Sequence, residues 1–174
     1  MSDPRYPIGK PNFDLPLTPE QRLAAIEAIE NAPMELRAAV RGLADDQLET
    51  PYREGGWTLR QTVHHLADSH INAYCRLRLA LTEDNPTVRP YEDALWAELP
   101  DARTAPIGLS LALLEALHVR WAMLLRSLTA EQFARPLVHP ASGAKNIDWL
   151  LSVYSWHGAH HTAHITELRK AKGW

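Results

Sequence analysis

The sequence predicts an all-α protein in which four long helices form a bundle, with short additional helices between them. Four segments repeat apolar residues at spacings of three and four, as amphipathic helices do, and no segment shows the period-two alternation of a half-buried strand. Prolines, glycines and helix-capping sequences separate these segments. A length of 174 residues fits a single domain spanning 1–174.

The first predicted element is an extended arm over residues 1–17. This arm contains four prolines, which disfavour a helix, and we expect it to lie across the surface. The first long helix follows from a capping box, in which Thr18 and Gln21 satisfy each other's backbone N–H groups and Pro19 occupies the first helical position. Gly42 is the predicted stop, so this helix ends near Arg41.

Similar signals define the other three long helices. The second is predicted over 58–81, because Thr58 and Gln61 form another capping box. The third is predicted over 106–127 from the three-and-four spacing of its leucines. The fourth is predicted over 146–173 and has basic residues near its C-terminus, where the helix dipole favours them.

The connections between these helices are shorter or more polar. The acidic stretch 82–105 contains prolines and is expected to hold a turn or two of helix at 91–99. A short helix is predicted to begin at Thr129. The segment 135–145, with two prolines and a glycine, is expected to be a loop.

Composition excludes several classes of protein. The chain has 18 Lys and Arg against 21 Asp and Glu, so its formal charge is −3 and it lacks the basic field that binds nucleic acid. No stretch approaches the roughly 18 uninterrupted apolar residues of a membrane span, and the first residues lack an apolar leader. The single cysteine, Cys75, allows no intramolecular disulfide and is interpreted as a small buried residue. We therefore expect a cytoplasmic protein without nucleic-acid or membrane partners.

Histidine is the unusual residue, because seven of the nine histidines fall in two short stretches. Four of them share the inward face of the fourth helix: His157, His160, His161 and His164. A buried imidazole needs a polar partner, so four on one inward face are hard to explain by packing alone. The i, i+4 spacing of His157 and His161 is typical of helical zinc ligands, which require a third ligand from elsewhere.

The second helix supplies the candidate third ligand. Its polar face centres on His65, with His64 at the edge, so periodicity favours His65 and leaves His64 open. Three imidazoles suit zinc, and also nickel, cobalt or iron, and they leave a coordination position open for catalysis. Four further residues are candidates either for pocket and ligand-orienting roles or for ordinary helix packing: His64, Asp68, His160 and His164. His118 is interpreted as a hydrogen-bonded core histidine.

Several motifs together resemble one known family. They are Tyr6-Pro7-Ile8-Gly9, Pro51-Tyr52-Arg53-Glu54-Gly55-Gly56-Trp57-Thr58, Val63-His64-His65-Leu66-Ala67-Asp68-Ser69-His70, Trp156-His157 through His161, and Ala163-His164-Ile165-Thr166-Glu167-Leu168. In these segments the chain resembles the YfiT-type metal-dependent hydrolases of the DinB superfamily. The resemblance implies a DinB-type four-helix bundle, a homodimer, and one divalent metal per subunit, Zn²⁺ first and Ni²⁺ or another ion second. It also implies that the ligands are His65, His157 and His161.

The resemblance leaves three functions open. The first is transfer of a low-molecular-weight thiol, similar to bacillithiol, to an electrophilic small molecule, as related DinB-fold enzymes do. The second is hydrolysis by a metal-bound hydroxide, which favours a carboxylate near the metal, and Asp68 or Glu167 would have to reach it. Neither residue stands in a His-Glu-x-x-His sequence, which favours thiol transfer. The third is a non-catalytic, metal-binding stress-response dimer.

Overall fold

The protein is a four-helix bundle in the computed structural model, which describes residues 3–13 and 16–174. The long helices are α1 (Pro19–Val40), α3 (Leu59–Thr82), α6 (Ile107–Arg126) and α8 (Ile147–Lys172). The short helices are α2 (Asp45–Leu48), α4 (Asp93–Trp96), α5 (Pro100–Thr104) and α7 (Ala130–Phe133). The predicted fold class is confirmed, and each long helix begins and ends within one residue of its predicted bounds. The described part of the predicted arm has no helix or strand, and residues 1, 2, 14 and 15 lie outside the described residues.

Local hydrogen bonds explain where α1 and α3 begin. The Thr18 hydroxyl oxygen accepts from the Gln21 N–H at 3.2 Å, and the Gln21 side-chain oxygen accepts from the Thr18 N–H at 2.8 Å. Thr58 and Gln61 form the same pair at the start of α3, at 3.1 and 3.0 Å. Each pair satisfies two N–H groups that the first helical turn leaves without partners.

The order of the helices around the bundle brings the two histidine-rich segments together. Helix α1 packs between α6 and α8, and α3 packs against the same two helices from the other side. Helices α1 and α3, although successive long elements of the chain, therefore face each other across the bundle. Because α3 and α8 are neighbours, their histidine-bearing faces meet.

The apolar core forms two clusters. One surrounds Trp121 and Tyr154, and the other surrounds Leu36, Leu59 and Ile165. Gly158 of α8 lies where α8 approaches α1, and a Cβ atom there would stand 3.1 Å from the Cβ atom of Ala32. The absence of a side chain at this position permits the close approach.

The segment predicted as a loop over 135–145 contains a small hairpin, so that prediction was wrong in part. Strands β1 (Pro136–His139) and β2 (Gly143–Asn146) pair antiparallel. Tertiary contacts support the hairpin: Leu137 is fully buried, and Val138 exchanges 2.9 Å backbone hydrogen bonds with Pro86 and Val88. The sequence of so short a hairpin carries no alternation that would reveal it.

The prediction for Cys75 was also wrong, because its side chain is exposed. Cys75 and Arg78 lie on the narrow outer face of α3, where they contact solvent, while almost all other positions of this helix are buried or half-buried. Small size made a buried position plausible, but the direction of the residue on the helix decides its exposure.

Helix α6 passes the length and composition test for a membrane span, with a mean hydropathy of 1.4 over 18 residues. The sequence criterion of an uninterrupted apolar run missed it, because Glu115, His118 and Arg120 interrupt the run. Helix α6 packs against α1 and α3, with Trp121 and Leu125 almost fully buried. A core helix of a bundle passes the same test, so this single helix is weak evidence for a membrane.

Candidate metal centre

Three histidines from α3 and α8 converge on one point. The Nε2 atoms of His65 and His157 are 3.4 Å apart, and one nitrogen from each of His65, His157 and His161 lies within 4.8 Å of the other two. Bonds of about 2.05 Å in a tetrahedral zinc site separate ligand nitrogens by about 3.3 Å. The separation of the His65 and His157 nitrogens therefore fits a divalent ion, and His161 offers a third nitrogen close to both. The sequence predicted this trio, and the structure brings its members together.

Burial keeps these three imidazoles neutral. Desolvation lowers the pKa of His65 to about 4, and desolvation and the neighbouring histidines lower the pKa values of His157 and His161 well below the usual range. A neutral imidazole offers the lone pair that a metal ligand needs. In addition, Nδ1 of His161 is buried and has no hydrogen-bond partner among the described residues. These features favour a cation rather than protons at the centre of the trio.

A chain of hydrogen bonds fixes which nitrogen of His157 faces the site. The Ile29 carbonyl can only accept, so His118 donates to it through Nδ1. Neutral His118 then accepts at Nε2 from Nδ1 of His70, at 2.7 Å. Neutral His70 in turn accepts at Nε2 from Nδ1 of His157, at 3.1 Å. His157 is left with an unprotonated Nε2 directed at His65, as coordination through this atom requires.

This role of His70 was not predicted from the sequence. Burial and the neighbouring histidines lower the pKa of His70 well below the usual range, so it stays neutral between His118 and His157. His118 is buried and hydrogen-bonded, as expected of a core histidine. It is also the last histidine in the series of hydrogen bonds that begins at His157. Both residues lie on inward faces, and only their distances to His157 reveal the connection.

The other predicted site residues divide into two groups. His160 and His164 line the same cavity as the trio, where His160 stacks on Trp156 and His164 stacks on Tyr52. Burial lowers the pKa values of both histidines to about 4. A nitrogen from each, with one from His161, forms a second group of three within 4.8 Å.

His64 and Asp68 lie apart from the trio. His64 donates to the Ala105 carbonyl at 3.1 Å and accepts from the Ser110 hydroxyl at 2.7 Å, so it joins α3 to α6. Asp68 is half-buried and does not line the cavity. Burial and the negative charge of Asp101 raise the pKa of Asp68 to about 6. The structure thus separates His64 from its neighbour His65.

The trio lies in the wall of a cavity of about 740 Å³. The polar face of α3 contributes His65, Ser69 and Arg76 to the cavity wall. These residues therefore face the cavity and not the outer surface of the bundle. The indole of Trp57 lies over His65, with 4.5 Å between ring centroids. The cavity also receives side chains from the N-terminal arm, the hairpin and the 82–105 connection: Arg5, Tyr6, His139, Tyr91 and Asp93. Such a volume is sufficient for a small-molecule substrate.

Asp93 is the one carboxylate among the described residues of the cavity wall. It is exposed, begins α4, and its negative charge opposes the lowering of the His65 pKa. The sequence analysis considered Asp68 and Glu167 instead, and neither of them lines the cavity. The position of Asp93 follows from the path of the 82–105 connection, which no local sequence signal gave.

Comparison with known proteins finds similar sequences and similar structures. The family model of the DinB superfamily matches residues 28–165. Proteins of Bacillus cereus strain 03BB102 and of Bacillus thuringiensis subsp. konkukian, both named provisionally as metal-dependent hydrolases, are 50% identical to the chain over 100% of each sequence. The structure of YfiT from Bacillus subtilis, described provisionally as a metal-dependent hydrolase with an unusual four-helix bundle topology, matches with a TM-score of 0.95 and 48% identity over 98% of both chains. TT2238, a four-helix bundle protein, matches with a TM-score of 0.55 and 20% identity over 88% of this chain and 99% of its own, a likeness of fold alone.

Proposed function

This chain belongs to the DinB superfamily, and from that premise we propose that it is a metal-dependent transferase that joins a low-molecular-weight thiol to an electrophilic small molecule. The observation that carries the proposal is the neutral trio His65, His157 and His161 in the wall of a 740 Å³ cavity. Three protein ligands leave a coordination position open toward the cavity. A divalent ion held there, Zn²⁺ first and Ni²⁺ second, would favour the thiolate form of a bound thiol at neutral pH.

The cavity volume is within the range of small-molecule sites. The sulfur nucleophile has to come from a substrate, because Cys75 is exposed on α3 and does not line the cavity. Among the chain's own residues, His70 orients His157 by accepting a hydrogen bond from its Nδ1, and Trp57 packs against the ring of His65.

The test is a conjugation assay with monochlorobimane. The protein, loaded with Zn²⁺ or Ni²⁺, is mixed with bacillithiol, mycothiol or cysteine, and formation of the fluorescent product is followed. We expect metal-dependent and thiol-dependent product that is lost in His157→Ala. The matched control is His64→Ala, which removes a buried histidine outside the trio and should retain conjugation. Absence of conjugation with every thiol and metal contradicts the proposal.

Hydrolysis is the second candidate, and the position of Asp93 favours it. An exposed carboxylate in the cavity wall could accept a proton from an attacking water. If the protein is a hydrolase, ester or amide substrates are cleaved without any thiol, and Asp93→Asn lowers that cleavage at least tenfold. A transferase retains conjugation in Asp93→Asn. Metal binding without either activity supports the non-catalytic dimer.

We also propose that the protein is a homodimer, as the resemblance implies. Sedimentation velocity at micromolar concentration is expected to show a particle of two 19.6 kDa chains. A single boundary at the mass of one chain contradicts the dimer and leaves the enzymatic proposal intact.

A further inference from the structure

Arg76 is a buried cation in the wall of the same cavity. Only 7% of its surface is exposed, and it lies on the face of α3 that also carries His65 and Ser69. At a helical rise of about 1.5 Å per residue, its Cα lies about 16 Å along the helix axis from that of His65. The guanidinium donates to the Tyr154 hydroxyl, and the Tyr154 ring lies beside His157 with 5.6 Å between ring centroids, so Tyr154 stands between Arg76 and this metal ligand.

Among the described residues, the hydrogen-bond acceptors of Arg76 are all neutral. Its Nε and Nη2 donate to the Arg89 carbonyl at 3.3 and 2.9 Å, and its Nη1 donates to the Tyr154 hydroxyl at 3.0 Å. A guanidinium has five N–H groups, so these three bonds leave two N–H groups for another acceptor. None of the ion pairs formed within 3–13 and 16–174 includes Arg76.

A second buried arginine of the same helix, Arg60, has the carboxylate partners that Arg76 lacks among the described residues. Arg60 is buried to the same degree, with 6% of its surface exposed, but it pairs with the carboxylates of Asp45 and Glu49 at 3.1 and 2.6 Å. A buried charge without a counter-ion costs free energy, and proteins normally pair it. Arg76 has no such partner among the described residues.

The cavity that Arg76 lines holds more basic than acidic side chains. Arg53 lines it without an ion pair among the described residues, Arg5 lines it paired with Asp3, and Asp93 is the one carboxylate among the described lining residues. His139 also lines the cavity, and its buried Nδ1 has no hydrogen-bond partner among the described residues. The lining therefore gives Arg76 no carboxylate partner and leaves a net positive charge from Arg53 and Arg76 beside Asp93.

We propose that Arg76 forms an anion-binding subsite that takes a carboxylate or phosphate group of the small-molecule substrate. This inference rests on the proposed function only in naming that ligand as a substrate. Arginine suits both groups, because its planar fork donates two parallel hydrogen bonds to two oxygens.

Anion binding is measured on metal-free protein, so that a metal ion cannot itself bind the probe. Isothermal titration at constant ionic strength and low chloride uses inorganic phosphate in one series and succinate in another. We expect saturable binding of at least one probe to the wild type, weakened tenfold or more in Arg76→Gln and retained in part in Arg76→Lys. The probe with the higher affinity distinguishes phosphate from carboxylate. Arg126→Gln, which removes an arginine paired with Glu30 on the surface, is the matched control and should bind like the wild type.

A second measurement needs no variant. Phenylglyoxal is small enough to enter the cavity that Arg76 lines, and mass spectrometry identifies the arginines that it modifies. Phosphate or succinate should slow the modification of Arg76 and leave that of Arg126 unchanged. Equal binding by wild type and Arg76→Gln, absence of binding by the wild type, or equal modification of Arg76 with and without anion overturns the subsite. Loss of conjugation activity alone would leave it standing, because binding is measured without metal or turnover.

Discussion

His157 links the metal centre to the interior of the bundle. Its Nε2 lies 3.4 Å from that of His65, while its Nδ1 donates to His70. Hydrogen bonds to ligand histidines hold the ring in place and select the nitrogen that binds the metal. The chain through His70 and His118 to a backbone carbonyl therefore orients His157 before any metal arrives.

At the residue scale, replacing His70 by phenylalanine should lower zinc affinity 10- to 100-fold, the usual effect of losing a hydrogen-bond partner of a ligand histidine. Phenylalanine retains an aromatic ring between Trp121 and Tyr154 but cannot accept from His157. Competition with a chromophoric chelator measures the affinity, and nitrogen NMR of the histidine rings reports the tautomer of His157. His64→Phe is the control, because His64 bonds to Ser110 and Ala105 away from the site. Equal zinc affinity in His70→Phe and wild type would contradict the orienting role.

At the scale of elements, the site depends on the approach of α8 to its neighbours. Gly158 lies one residue after His157, and a Cβ atom there would be 3.1 Å from the Cβ atom of Ala32 and 3.6 Å from Cε1 of His70. The missing side chain at Gly158 leaves space both for α1 and for the ring that supports His157. Packing of the helices and geometry of the ligands are therefore coupled at this position.

Gly158→Leu should destabilise the protein by about 1–3 kcal/mol, as overpacking of a dense core usually does. It should also weaken zinc binding, because the new side chain displaces His70. Gly108→Leu is the matched control, since a Cβ atom at Gly108 in α6 meets no atom within 4 Å. Leucine exceeds glycine in helix propensity, so this control should be neutral or more stable. Urea denaturation measures the free energy of unfolding of both variants. Equal effects of the two substitutions on this free energy would count against a packing role for Gly158.

At the scale of the whole molecule, the histidine clusters make folding sensitive to acid. The folded protein keeps His65, His160 and His164 neutral with pKa values of about 4, whereas in the unfolded chain such groups titrate near 6.5. Between these pH values the unfolded state binds more protons, so stability falls as the pH falls. Asp68 has the opposite effect, because its pKa is raised to about 6 in the folded protein. Below that pH the folded state binds one proton more at Asp68 than the unfolded state does, which favours folding.

Metal-free protein should therefore lose stability between about pH 6.5 and pH 4, by up to about 1.4 kcal/mol per pH unit for each histidine that stays neutral only when folded. Urea unfolding at a series of pH values measures this dependence. Replacing His160 by glutamine should reduce the slope in this range, and Asp68→Asn should increase it. A free energy of unfolding that is constant from pH 7 to pH 4.5 would show that the folded histidines titrate normally.

Local signals in the sequence were sufficient to predict the four long helices, whereas the short helices α2 and α5 were not predicted. Capping boxes such as Thr58 with Gln61, the terminal Gly173 and the three-and-four spacing of apolar residues involve neighbours within a few positions of the chain. Helix bounds are set by those same neighbours, so they agree with the structure within one residue. The hairpin of β1 and β2 was missed because its support comes from Pro86 and Val88, about 50 positions earlier.

For the site, the sequence by itself determined that His157 and His161 share an inward face, because the helical repeat fixes their relative direction. Periodicity could not separate His65 from His64, and the tertiary structure did so by packing one against α8 and the other against α6. The tertiary structure alone also decided three other features of the site. These are the hydrogen bonds from His157 through His70 to His118, the position of Asp93 in the cavity wall, and the absence of a carboxylate partner for Arg76 among the described residues. Each depends on atoms that are distant in sequence and meet when the helices pack, and no local pattern records such distances.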